Sequence, residues 1–115
     1  MNRDPNCIFC KIVAGEMKSE IVAQDERTVA FSDIAPAAPL HVLVVPRTHY
    51  TDAAAVDDPL DLQAMFRMAR EVVRSKGHED TGYRLVLNTG PHAQQSVFHV
   101  HLHVLAGRQM SWPPG

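Results

Sequence analysis

The sequence predicts an α+β fold, an antiparallel sheet of about five strands with one long and one short helix, and three observations carry that expectation. His99, His101 and His103 alternate with Val100, Leu102 and Val104, the period-2 pattern of a half-buried strand. Leu62, Met65, Phe66, Ala69, Val72 and Val73 recur at helical spacing. The remaining β-prone runs are short and mostly separated by polar or proline-containing turns, which favours antiparallel pairing with the helices gathered on one face.

Residues 7–14 read as a short helix whose apolar patch is Ile8, Phe9, Ile12 and Val13, ended by Gly15. It is too short to stand without tertiary contacts. Residues 21–24 and 28–32 flank Asp25-Glu26-Arg27, the layout of a hairpin. Pro36 and Pro39 bracket a loop leading into the β-prone run 41–46, which stops at a proline. The long helix has Asp58 as N-cap, Pro59 at its first position and Gly77 past its last turn. Residues 83–88 form a further strand, the turn-rich 89–95 follow, and the histidine strand comes next. The tail 107–115 contains Trp112-Pro113-Pro114, too proline-rich for regular structure.

At 115 residues the chain is expected to be one domain, 1–115. Apolar residues at 45% and charged residues at 21% are ordinary globular composition and argue against disorder. A net charge of -2 argues against a nucleic-acid partner, which calls for a basic, phosphate-neutralising surface, but leaves room for a single nucleotide. No apolar run is long enough to span a bilayer, and residues 1–6 lack the apolar centre of a signal peptide. The expectation is a cytoplasmic protein with no membrane partner, where the only two cysteines, Cys7 and Cys10, stay reduced.

An unperturbed imidazole titrates near pH ~6.5, so a row of three can share protons, attack phosphorus or bind a metal. A metal hydrolase using His99, His101 and His103 as ligands is one reading. Against it, i, i+2 and i+4 on one strand rarely converge three ligands. The Cys7-x-x-Cys10 pair admits a redox couple, half of a zinc site or two buried thiols. A redox couple needs a βαβ context that the N-terminus lacks, whereas structural zinc takes four ligands, commonly Cys2His2.

The string His99-Val-His101-Leu-His103-Val-Leu105 resembles the signature of the histidine-triad (HIT) family, and the resemblance extends along almost the whole chain. It includes Phe31-Ser-Asp33-Ile34-Ala-Pro36-Ala-Ala-Pro39-Leu-His41, Pro46-Arg-Thr-His49, Gln95-Ser96 and the closing residues 107–115, which look like the Hint branch. The resemblance implies a HIT-like sheet, a homodimer and a hydrolase of purine nucleoside phosphoramidates or related adenylates, working through a nucleotidyl-histidine. Alternatives within the resemblance are a dinucleoside polyphosphate hydrolase or nucleotidyl transferase, and a non-enzymatic nucleotide-binding or scaffold protein.

Carried over by position, the resemblance makes His101 the nucleophile, with His103 and His41 neutralising charge on the phosphate oxygens. Ser96 would donate to the leaving group. Asp33 would accept the ribose hydroxyls, Ile8, Phe9, Ile12, Phe31 and Ile34 would wall the base, and Asn88 would help hold the phosphate. Backbone amides after Gln94 would complete the cradle, and Trp112 would reach towards the partner subunit's site. Simple core packing is the plainer explanation of the apolar five. No catalytic metal is expected. A structural zinc would be held by Cys7, Cys10, His49 and His99, which takes His99 out of the chemistry. One departure stands out: this branch commonly has Gly-Gln-Ser where this chain has Gln94-Gln95-Ser96. Glycine permits φ > 0 and close approach to phosphate, so Gln94 is expected to narrow or repolarise the leaving-group side.

Overall fold

The structure, a computed structural model, describes residues 3–115; Met1 and Asn2, part of the opening segment read as lacking a signal peptide's apolar centre, lie outside the described residues. Five antiparallel strands stand in the order β1-β2-β3-β5-β4: β1 (Ile21–Gln24), β2 (Thr28–Ser32), β3 (Leu40–Pro46), β4 (Tyr83–Val86) and β5 (Leu102–Ala106). The β1–β2 hairpin forms where expected. Asp25 closes it, its carboxylate accepting from the Arg27 and Thr28 amides and the Thr28 hydroxyl.

Helix α1 (Ile8–Val13) is capped by Cys7, and helix α2 (Pro59–Ser75) by Asp58, whose side chain accepts from the Leu60 amide. The two helices do not share a face, contrary to expectation. Met65, Met68, Ala69, Val72 and Val73 of α2 pack on Ala30, Val42, Val44, Leu102 and Val104. Phe9, Cys10 and Ile12 of α1 pack on the other face, against Val29, Phe31, Leu43 and Val45. Every residue of β3 is therefore buried, and its continuous apolar run is the sign of a strand covered on both sides. The buried stripe of α2 is also rotated from the predicted one: Asp61 and Met68 face inward, whereas Leu62 and Phe66 are exposed.

Two strands are shorter than expected. β4 ends at Val86 rather than 88, and β5 begins at Leu102, so of the three histidines only His103 lies in the ladder. The alternation nevertheless holds, with Val100, Leu102 and Val104 in the α2-side core and the imidazoles on the α1 side. The β3–β5 ladder runs from Leu40↔Ala106 to Val44↔Leu102. Beyond it the Val100 amide donates instead to the Tyr50 carbonyl at 2.8 Å.

Candidate active site and metal centre

The β3–β5 register pairs Leu43 with His103 and His41 with Leu105, so His41 and His103 are diagonal neighbours on one face. Their rings meet, His41 Nε2 lying 2.9 Å from His103 Nδ1. His41 Nδ1 accepts from the Ala37 amide at 3.0 Å, so in the neutral ring the proton sits on Nε2 and is donated towards His103. That leaves the His103 proton on its Nε2, facing away from His41. Asp33 Oδ2 lies 3.4 Å from His41 Nε2, and its Oδ1 accepts from the Ala35 amide. Both nitrogens of His41 are thus engaged within the protein, Nδ1 by the Ala37 amide and Nε2 by His103. Asp33, His41 and His103 are close enough to surround a cation, but a metal on His41 Nε2 would force a proton onto Nδ1, against the Ala37 N–H.

His101 is oriented differently. Its Nδ1–H donates to the His99 carbonyl at 2.8 Å, which leaves Nε2 a bare lone pair. The Phe9 ring stands edge-on to it at 5.1 Å, and the His103 ring is 5.0 Å away. Burial lowers the pKa of His101, the His99 carbonyl and Asp33 opposing. Burial, and then the neighbouring His101 and His41, push His103 down to about 4. At neutral pH both rings are uncharged, the form in which an imidazole is a nucleophile.

His99 turns the other way. It is fully buried, its Nε2–H donates to the Pro46 carbonyl at 2.9 Å, and its Nδ1 faces Cys7 Sγ at 3.4 Å, Cys10 Sγ at 3.5 Å and His49 Nδ1 at 3.2 Å. Cys10 Sγ is 3.4 Å from His49 Nδ1, and the four donor atoms lie within 4.8 Å of one another. A tetrahedral zinc with bonds of ~2.3 Å to sulfur and ~2.0 Å to nitrogen sets sulfur and nitrogen about 3.5 Å apart, so the residues fit the ion. Their chemistry fits too. Burial pushes the Cys10 thiol up, so a cation is what would hold it as thiolate, while the Pro46 carbonyl fixes His99 in the ligating tautomer. The triad is thus divided between a metal-ligand cluster, an oriented free imidazole and a relayed imidazole, and its three rings do not converge on one ion.

The remaining predicted residues are placed unevenly. Phe9, Ile12 and Phe31 are buried, with the Phe9 and Phe31 rings edge-to-face at 5.3 Å, while Ile8 is partly and Ile34 wholly exposed. Asn88 is half-buried just past β4, and Ser96 is exposed. Gln94 is the single non-glycine residue with positive φ among those described, at +61°, and its amide is committed to the Pro91 carbonyl. The next amide, that of Gln95, is likewise committed, to the Gly90 carbonyl at 3.1 Å. Trp112 is 81% exposed on a tail anchored by Arg108 to the Ala37 carbonyl and by Arg84 to the Ser111 carbonyl.

Two features escaped the sequence reading. Buried Gln95 accepts from the Gly90 amide and donates to the Thr51 and Val97 carbonyls, clamping the loop before the triad. His78, which follows the end of α2, is half-buried and lines a cavity of about 440 Å³ together with Lys76, Asp33 and His41. Neither has a local signal, since a glutamine in a polar loop and a histidine past a helix end read as solvated.

An α+β sheet that sets an oriented imidazole, His101, beside a Cys2His2 cluster fits the HIT resemblance of the sequence. Comparison with known proteins agrees: the HIT domain model matches residues 14–110, and the chain belongs to the HIT family. It is 43% identical to a "14 kDa zinc-binding protein" of Zea mays over 97% of this chain and 90% of that protein. It is 36% identical to "Adenylylsulfatase HINT1" of Arabidopsis thaliana, over 97% and 78%. The crystal structure of a HIT family hydrolase from Legionella pneumophila superposes with a TM-score of 0.92 at 42% identity, covering 96% of this chain and all of that one.

Proposed function

We propose that the chain is a HIT hydrolase that cleaves purine nucleoside phosphoramidates or related adenylates through a nucleotidyl-His101 intermediate. One observation carries the reading: His101 Nδ1 is tied to the His99 carbonyl, which leaves Nε2 unprotonated beside the His103 ring. Nε2 attacks the α-phosphorus, the bond to the leaving nitrogen breaks, and Ser96 supplies that nitrogen with a proton. His103 donates its Nε2–H to a non-bridging oxygen, and the His41 hydrogen bond holds it in that tautomer. Water then attacks phosphorus and returns a proton to Ser96, the phosphorus–Nε2 bond breaks, and the nucleoside monophosphate leaves with His101 back in its neutral form. Phe9, Phe31 and Ile12, with Ile8 and Ile34 at the open rim, form the base wall; Asp33 Oδ2 takes a ribose hydroxyl, and Asn88 faces the phosphate. The Arabidopsis relative's name, adenylylsulfatase, supports adenylates as the wider substrate class.

Cys7, Cys10, His49 and His99 hold a structural zinc in this reading, supported by the donor geometry and by relatives named as zinc-binding. When bound, that ion would supply a closed four-ligand node tying α1 to the segment after β3 and to the first residue of the triad. The reading also takes the chain as one domain, in a reducing cytoplasmic setting that keeps both cysteines out of disulfides, and as a homodimer. Exposed Leu62 and Phe66 on α2 and the outer edge of β4 support the dimer. Among the described residues no helix is long and apolar enough to cross a membrane. Incubation with an adenosine phosphoramidate, followed by chromatography, should show AMP and free amine in equal amounts; no AMP above the uncatalysed rate would refute the activity.

A further inference from the structure

The segment bearing the reactive histidine is held by neighbours other than the sheet. Residues 95–101 precede the ladder, and residues 46–51 run beside them as a strap. The Pro46 carbonyl accepts from His99 Nε2, the Tyr50 carbonyl from the Val100 amide and the Thr51 carbonyl from Gln95 Nε2 at 2.7 Å. His49, on the same strap, faces His99 across the metal-ligand cluster. Tyr50 in turn donates from its hydroxyl to buried Asp61 on α2 at 2.6 Å, and Arg27 reaches the other Asp61 oxygen at 2.8 Å.

The third contributor is α1. Cys7 and Cys10 bracket Ile8 and Phe9, so the two thiols and the aromatic ring packed against His101 belong to one helical turn. A helix of six residues cannot fix its own position. The four ligands therefore come from the three segments that carry the aromatic wall beside His101, the carbonyl that orients it and the clamp on the loop before it.

We infer that metal occupancy of Cys7, Cys10, His49 and His99 and nucleotide occupancy of the adjacent cleft are thermodynamically coupled, although none of the ligands touches the nucleotide. The inference rests on the nucleotide-binding reading above. An ion that draws the three segments together sets the spacing between Phe9, the His99 carbonyl and His101. A nucleotide seated against Phe9 and His101 favours the same spacing. Two ligands that favour one arrangement strengthen each other by an equal factor.

The experiment uses the full chain, zinc as the metal and AMP as the nucleotide. Zinc affinity is measured by competition with a chromophoric chelator, with and without saturating AMP, and AMP affinity by calorimetry on the zinc-loaded chain. AMP should tighten zinc binding at least about fivefold, the lower range of known couplings. A nucleotide that opposed only global unfolding would leave the ligand geometry unchanged. The titration is therefore repeated on the cobalt(II)-loaded chain, where AMP should shift the visible ligand-field bands. AMP binding with unchanged zinc affinity or unchanged bands overturns the coupling. Failure of the loaded chain to bind AMP overturns the nucleotide reading itself.

Discussion

His101 and His103 are two residues apart with ring centroids 5.0 Å apart, yet different interactions hold them. His103 sits in β5, its backbone fixed by ladders to β3 and β4 and its ring by His41. His101 precedes the strand. Its orientation depends on the His99 carbonyl, and His99 is held by the Pro46 carbonyl and packed among Cys7, Cys10 and His49. The difference teaches that one alternating run can carry two mechanical regimes, one secured by repeated backbone hydrogen bonds and one by a few side-chain contacts that fail together.

The sharpest way to break the comparison is Cys10→Ser. Loss of one thiolate ligand should release the metal and destabilise the fold by about 3 kcal/mol or more, since metal-binding energy is folding energy. Hydrogen exchange should show the Val100 amide losing protection well before the amides of 102–106. Uniform loss along 99–106 would show that the two regimes are one.

Gln95→Ala comes next. It removes three hydrogen bonds from a buried side chain, those to the Gly90 amide and the Thr51 and Val97 carbonyls, at a cost of about 1–3 kcal/mol by denaturant titration. The same measurement on the zinc-loaded chain should show the metal retained, because none of the four ligands is touched.

The pH dependence probes the ladder-held partner. His103 has its folded pKa depressed to about 4 by burial, below the ordinary 6.5. Below pH ~6.5 the unfolded chain binds a proton that the folded chain excludes. This contribution to stability is complete above the unfolded value and is lost as pH falls from 6.5 towards 4. Thermal midpoints across that window should decline in wild type and less steeply in His103→Asn; parallel curves would remove His103 from the account.

Gln94→Gly should have the smallest effect. A non-glycine residue at φ +61° costs roughly 1 kcal/mol, so glycine should leave the protein equally or slightly more stable. Discrimination between small and bulky amine leaving groups should change, measured as the ratio of kcat/KM values. An unchanged ratio would mean that the side chain at 94 does not face the leaving group.

Much of this was legible in the sequence. The Asp25 hairpin turn, the Asp58-Pro59 helix start and the side-chain alternation from 99 to 104 are local patterns, and each is realised. Period 2 reports which way side chains point but not which partner takes the backbone hydrogen bonds. Hence the strand was expected from His99 but begins at Leu102, where the Tyr50 carbonyl displaces β3 as partner of the preceding segment. The resemblance singled out Cys7, Cys10, His49 and His99, and the structure brings the four together. The direction in which His41 faces could not be read, because it is set by the Ala37 amide four residues away across a loop. The α1 patch was visible as apolar, but nothing local says which face of the sheet it covers.

The account turns on His101 Nε2 as the attacking atom. The most direct test is a rapid-quench experiment in which the metal-replete chain is mixed with an adenosine phosphoramidate and stopped in alkali, where phosphorus–nitrogen bonds survive. Peptide mass spectrometry should then find an adenylyl group on His101 within the first turnover, and His101→Ala should show neither the adduct nor AMP release while still binding AMP. Undiminished turnover by His101→Ala, or an adduct on a different residue, would contradict it.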